Sequence, residues 1–236
     1  MGKSFCSVFA CLLVSAFTAS AGNALAVTFT GTGSGGTIPD NNATGVTSTI
    51  VVAPDNDFAI QNLVVTISGL NHTWVGDLVV TLSKGSTSVD LFRRLGRTSA
   101  TSGFGDNANL NGTYAFSDQF TGNFLAQATS SADTAFIIPG GNYFASTCPA
   151  TITSANPCGS VASSLSALFA EGAVGNWTLR ISDNAGGDLG SFTGWSLFLE
   201  GQAQEIPEPS GVLGTLLLAG VGGGLLGRRK KVRAVR

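Results

Sequence analysis

Only 11% of the 236 residues are charged while 32 are glycine, a balance that suits one all-β domain with terminal extensions better than two domains. The formal net charge of -2 conceals an asymmetry, because six Lys or Arg residues crowd the last nine positions. Between Val27 and Gly201 five basic residues face twelve acidic ones, a net of -7 that argues against nucleic acid as a partner and for divalent cations.

The chain opens with Lys3, a mostly apolar run over residues 5–19, and Ala24-Leu25-Ala26, which matches the small-x-small cleavage rule. This predicts a secretory signal peptide over residues 1–26 and a mature start at Val27; the short run and the cleavage motif disfavour a retained anchor. Cys6 and Cys11 leave with the signal. Cys148 and Cys158 remain, and in a Pro- and Asn-containing loop of an exported domain they predict one disulfide. A metal pair there lacks further Cys or His nearby.

Residues 27–36, rich in Thr and Gly, predict an irregular or edge-strand lead-in, and the domain proper is expected over 37–201. Strands are predicted over 47–52, 58–68 (Leu63, Val65 and Ile67 inward), 77–83 (Leu78, Val80 and Leu82 inward) and 87–92 (Val89 and Leu91 inward). The last three read as a meander. Arg93, Arg94 and Arg97 form the basic cluster of the domain, a solvated edge or, beside Phe92 and Phe104, a docking edge. A short strand is predicted over 114–118, and residues 163–172 predict a helical turn with Ser163 or Ser164 as cap and Gly172 at its end.

Two alternating runs follow, Trp177, Leu179, Ile181 and Trp195, Leu197, Leu199, predicting a final hairpin whose pairing with the first strand would protect the edges of a sandwich. Between them Asp183-Asn184-Ala185-Gly186-Gly187-Asp188 is open to two readings. One is an Asx-rich turn that bonds its own backbone; the other is a calcium loop in which Asp77, Asp106, Asp183 and Asp188 share a Ca2+ ion, with Asn107 and Asp118 as further oxygens. Residues 202–206 read as a linker. Residues 211–227 are an uncharged run that predicts a transmembrane helix, and the basic tail orients its C-terminus to the cytoplasm.

Ile206-Pro207-Glu208-Pro209-Ser210, the apolar run and Arg228-Arg229-Lys230-Lys231 together resemble the PEP-CTERM sorting signal of exported bacterial proteins. The resemblance implies that Pro207, Glu208 and Pro209 mark recognition by an exosortase-type transpeptidase. It also implies a membrane intermediate held by the C-terminal helix, and release to the surface or exopolysaccharide matrix of a didermal bacterium. A second resemblance covers residues 37–201 and is carried by Ile38-Pro39-Asp40-Asn41, Ser48-Thr49-Ile50, His72-Thr73-Trp74-Val75-Gly76-Asp77-Leu78, Leu165-Ser166-Ala167-Leu168, Gly175-Asn176-Trp177-Thr178-Leu179 and the stretch from Asp183 to Trp195. These residues are similar to the P domain, or Homo B domain, that follows the catalytic domain in proprotein convertases and bacterial subtilisin-like proteases. The resemblance implies a jelly-roll-like antiparallel β-sandwich. Two departures, Ser83-Lys84-Gly85-Ser86-Thr87 and the Cys148–Cys158 segment, bear on partner surfaces rather than on the core.

With one histidine, His72, and no Gly-x-Ser-x-Gly, the sequence offers no serine triad. The expected function is a non-catalytic surface or matrix module with a structural or binding role, for which exopolysaccharide is a candidate partner. The rival is an accessory acting in trans with a subtilisin-like serine endopeptidase.

Overall fold

A computed structural model describes residues 25–101 and 103–203. Residues 1–24 of the predicted signal peptide, the Pro207-Glu208-Pro209 element and the 211–227 run lie outside the described residues. Among the described residues no helix is long and apolar enough to cross a membrane.

The protein is an antiparallel β-sandwich. The strands are β1 (Ala26–Ile38), β2 (Asn42–Val52), β3 (Ala59–His72), β4 (Leu78–Lys84), β5 (Thr87–Arg93), β6 (Asn109–Phe116), β7 (Ile137–Ile138), β8 (Gly141–Tyr143), β9 (Ser146–Thr147), β10 (Val161–Ala162), β11 (Gly175–Asp183) and β12 (Gly190–Gln202). One sheet runs β1-β12-β3-β6-β7 with β8 also on β6, and the facing sheet runs β2-β11-β4-β5. First and last strands pair antiparallel from Ala26↔Gln202 to Ile38↔Gly190, as expected of a closed edge.

Two sequence expectations are corrected here. The final "hairpin" is a crossover: β11 lies between β2 and β4 in one sheet, whereas β12 lies between β1 and β3 in the other. Likewise the predicted meander is broken, because β3 belongs with β12 and β6 while β4 pairs with β11 and β5. Alternation with a period of two states which side chains face inward, and it is silent on which of two facing sheets supplies the strand.

The lead-in at 27–36 lies within β1, where Thr28, Thr30 and Thr32 are exposed and Phe29, Gly31 and Gly33 are half-buried. Gly33 is required by close approach, since a Cβ there would come within 2.0 Å of the Trp195 indole nitrogen. With that space free, Trp195 is 2% exposed and its indole N–H donates across the sandwich to the Ser48 hydroxyl at 2.9 Å.

The core is one continuous apolar cluster. Trp177, Leu179 and Ile181 of β11 face Trp195, Leu197 and Leu199 of β12, all essentially buried. At the other side Phe92 of β5 meets Phe116 of β6 at 5.8 Å between ring centres, and Phe124 of the short helix α1 (Phe124–Ala128) packs against both at 5.0 and 5.6 Å. Cys148 and Cys158 form the predicted disulfide. Cys158 also exchanges backbone hydrogen bonds with Gly96 and Arg97, so the bridge fastens its loop to the arginine segment.

The helical turn expected at 163–172 is a 3-10 helix over Leu165–Glu171, and its cap differs from expectation. Neither serine side chain caps it. The Asp118 carboxylate instead accepts hydrogen bonds from the Leu165 and Ser166 amides and the Ser164 hydroxyl, at 2.8, 2.9 and 2.8 Å. Asp118→Ala is therefore expected to cost about 1–2 kcal/mol, the usual worth of an N-cap, measured as a lower denaturant midpoint. An unchanged midpoint would show the cap to be redundant.

Candidate functional site

Two of the inter-sheet crossings, β3 to β4 and β11 to β12, bring polar residues to one end of the sandwich. β3 ends at His72, the chain crosses through Thr73 and Trp74 and a 3-10 turn at Val75–Asp77, and β4 begins at Leu78. β11 ends at Asp183, and residues 184–189 cross back to Gly190 beside His72. The crossings are tied together, since the Asp77 carbonyl accepts the Asn184 amide at 2.9 Å and its side-chain amide at 3.2 Å.

His72 and Asp183 are both fully buried, with Nε2 of the ring 3.2 Å from Oδ2 of the carboxylate. The Trp74 backbone N–H donates to Nδ1 at 3.1 Å, which makes Nδ1 an acceptor and places the ring proton on Nε2, donating to Asp183. The other Asp183 oxygen accepts the Ala185 amide at 3.0 Å. Gly190 is needed at this point, because a Cβ would come within 2.4 Å of the imidazole. Thus the lone histidine joins one sheet to the other and has no ring nitrogen left for a nucleophile.

Around this pair lie the remaining acids. Asp188 Oδ1 accepts the Thr73 hydroxyl at 2.6 Å, and Asp40, which the sequence reading did not single out as an acid of this site, accepts the Gly187 amide at 3.0 Å. Asp77 is 2% exposed, and its Oδ1 receives no hydrogen bond; the nearest cation is the Arg94 guanidinium at 4.0 Å. Burial pushes the Asp77 carboxyl up to about 6 against the opposing pull of Arg94, and the charges of Asp183 and Asp188 push in the same direction as burial. Trp74 Nε1 and Arg94 Nε and Nη1 are also buried without hydrogen-bond partners.

The arginine cluster is the edge that the sequence suggested only in part, since Arg93 stands 38% exposed at the end of the outermost strand β5. Arg93 makes a two-pronged contact with Asp90 at 2.7 and 3.0 Å, Arg94 is 7% exposed, and Arg97 donates to the Ala100 carbonyl. Phe92 is fully buried in the aromatic core, whereas Phe104 is 64% exposed and meets Trp74 edge-on at 6.4 Å. Trp74 and Phe104, with Asp77, Gly186 and Asp188, line a cleft of about 200 Å³. The role of Phe104 was half legible in the sequence, that of Trp74 only as part of a motif.

Of the expected calcium ligands, Asp77, Asp183 and Asp188 come together, and Asp106 turns its Oδ1 to the Ala108 amide. Both Asp183 oxygens and one oxygen each of Asp188 and Asp106 accept hydrogen bonds from the protein, so few unengaged carboxylate oxygens face one another here, against the six to eight oxygen ligands, water and backbone included, that calcium takes. Among the described residues no group of three or more His, Cys, Asp or Glu is arranged to hold a metal ion.

Residues 152–199 match the family model described as the proprotein convertase P-domain. That span contains β11, the acidic crossover and most of β12. No curated protein matches. Among solved structures, the serine protease of Aeromonas sobria in complex with its chaperone is similar at 14% identity and a TM-score of 0.39, over 76% of this chain and 28% of that one. The same protease without the chaperone gives 15% identity and a TM-score of 0.37, over 75% of this chain and 27% of that one. The chain thus spans less than a third of the length of these structures.

Two predictions follow from the buried acids. A carboxyl with a folded pKa of about 6 and an unfolded one of about 4 binds its proton more tightly in the native state. Its favourable contribution is complete below pH 4 and is lost as pH rises through 6, so the melting temperature of Asp77→Asn is expected to fall less over that window than that of the unaltered chain. Parallel pH curves would contradict this assignment. His72→Ala strands the buried Asp183 carboxylate and is expected to cost about 3 kcal/mol in denaturant unfolding.

Proposed function

We propose that this chain is a non-catalytic β-sandwich binding module of the P-domain type, exported and displayed at the cell surface or in an extracellular matrix. The observation that carries the non-catalytic reading is His72, whose two ring nitrogens are engaged by Asp183 and the Trp74 amide. A general base needs a nitrogen within reach of the proton it removes, and this ring has none to offer. The His–Asp pair has the composition of a catalytic dyad and the wiring of a structural clasp.

The family match over residues 152–199 supports the P-domain reading, and the Cys148–Cys158 disulfide supports an oxidising compartment. The sorting step rests on the resemblance at Pro207, Glu208 and Pro209 to a signal read by an exosortase-type transpeptidase. A second reading, service in trans to a subtilisin-like serine endopeptidase, is favoured by the convertase description of the matched family. Exopolysaccharide and such a protease are the partners that separate the two readings, and co-purification of one or the other decides between them.

Incubation of the exported protein with casein and a fluorophosphonate probe is expected to give neither cleavage nor label. Labelling of any serine would overturn the non-catalytic reading. Intact-mass analysis of the same sample is expected to place the N-terminus at Val27 and the C-terminus near Pro207–Pro209.

A further inference from the structure

The cleft at the crossover end joins two kinds of wall. One is aromatic: Phe104, 64% exposed, standing edge-on to Trp74. The other is acidic: Asp188 at the rim and Asp77 beneath, 2% exposed and with an oxygen that receives no hydrogen bond. Aromatic faces and carboxylates have one ligand chemistry in common, a cation carried on an organic group, which the rings attract through their quadrupole and the acids through charge. A hard metal ion would gain nothing from the rings and would meet few free oxygens. An anion would be repelled by the acids of the cleft and by the net charge of -7 over residues 27–201. Arg94 offsets part of the Asp77 charge from 4.0 Å, but it does not line the cleft, whereas Asp188 does.

We propose that this cleft binds an organic cation, the ammonium or guanidinium group of a basic peptide or of a polyamine. Asp188 makes the direct contact, Asp77 supplies charge from below, and Phe104 with Trp74 encloses the aliphatic stem. The volume of about 200 Å³ suits a single such head group with part of its stem. The inference rests on the binding-module reading and gives it a ligand class.

The test uses the full-length 15N-labelled chain in detergent, with the indole N–H of Trp74 as reporter; the other two tryptophans, Trp177 and Trp195, are 0% and 2% exposed and serve as internal controls. Titrants are Ac-Gly-Lys-Gly-NH2, Ac-Gly-Arg-Gly-NH2, spermidine, the neutral Ac-Gly-Gln-Gly-NH2, and calcium chloride. A saturable Trp74 shift is expected with a cationic organic titrant and none with the glutamine peptide; whichever saturates first identifies peptide or polyamine as the source. Phe104→Ala is expected to weaken binding about 2- to 5-fold, and Asp188→Asn by at least as much, with the melting temperature of both variants unchanged. Absence of a saturable shift with every organic cation overturns the proposal, as does calcium saturating first and blocking the peptides. Such a failure beside a silent fluorophosphonate probe removes the ligand assignment alone, whereas serine labelling removes the non-catalytic reading.

Discussion

The hydrogen bond between His72 and Asp183 is the constraint around which this sandwich is arranged. It links the last residue of β3 in one sheet to the last residue of β11 in the other, and both partners are fully buried. A buried carboxylate is tolerated only if its oxygens are satisfied, and here an imidazole and a backbone amide do so. The Trp74 amide fixes the imidazole tautomer, Gly190 leaves room for the ring, and Asn184 holds the two crossings together. Apolar stacking gives the sandwich its cohesion, and this polar contact fixes how the layers align at one end.

Much of the strand content was legible in the sequence because alternation reports burial directly. Trp177, Leu179, Ile181, Trp195, Leu197 and Leu199 are inward as their spacing required. The sheet to which each strand belongs was not legible. The loop at 184–189 looks like a hairpin turn by composition, and only the pairing of β11 with β2 and β4 reveals it as a bridge between layers. Likewise β1 looked irregular because it is rich in glycine, and one of these, Gly33, leaves the space that the Trp195 indole occupies. Asp118 shows the same limit: its role as the cap of a helix more than forty positions away depends on tertiary contact, which local spacing cannot encode.

For the site, the acids were legible and their duties were not. Asp77, Asp183 and Asp188 do converge, but one lies beneath a cleft with an oxygen that receives no hydrogen bond, one is clasped to a histidine and one holds a threonine hydroxyl. Residue type announced negative charge at a turn; only the side-chain partners distinguish a structural carboxylate from one free to meet a ligand. The arginines teach the reverse lesson. Arg94 looked like surface charge and is buried against Asp77, a placement that lowers its own proton affinity through desolvation.

The register of β1 against β12 has a geometric consequence. Ala26 lies opposite Gln202, and Ile38 opposite Gly190, so the chain enters and leaves the sandwich side by side at the pole remote from His72. Thirteen strand residues at ~3.3 Å each separate the two poles by roughly 40 Å. Anything that holds the protein by the chain beyond residue 203 grips it like a stalk, and the acidic, aromatic mouth is then presented outward, away from the point of attachment.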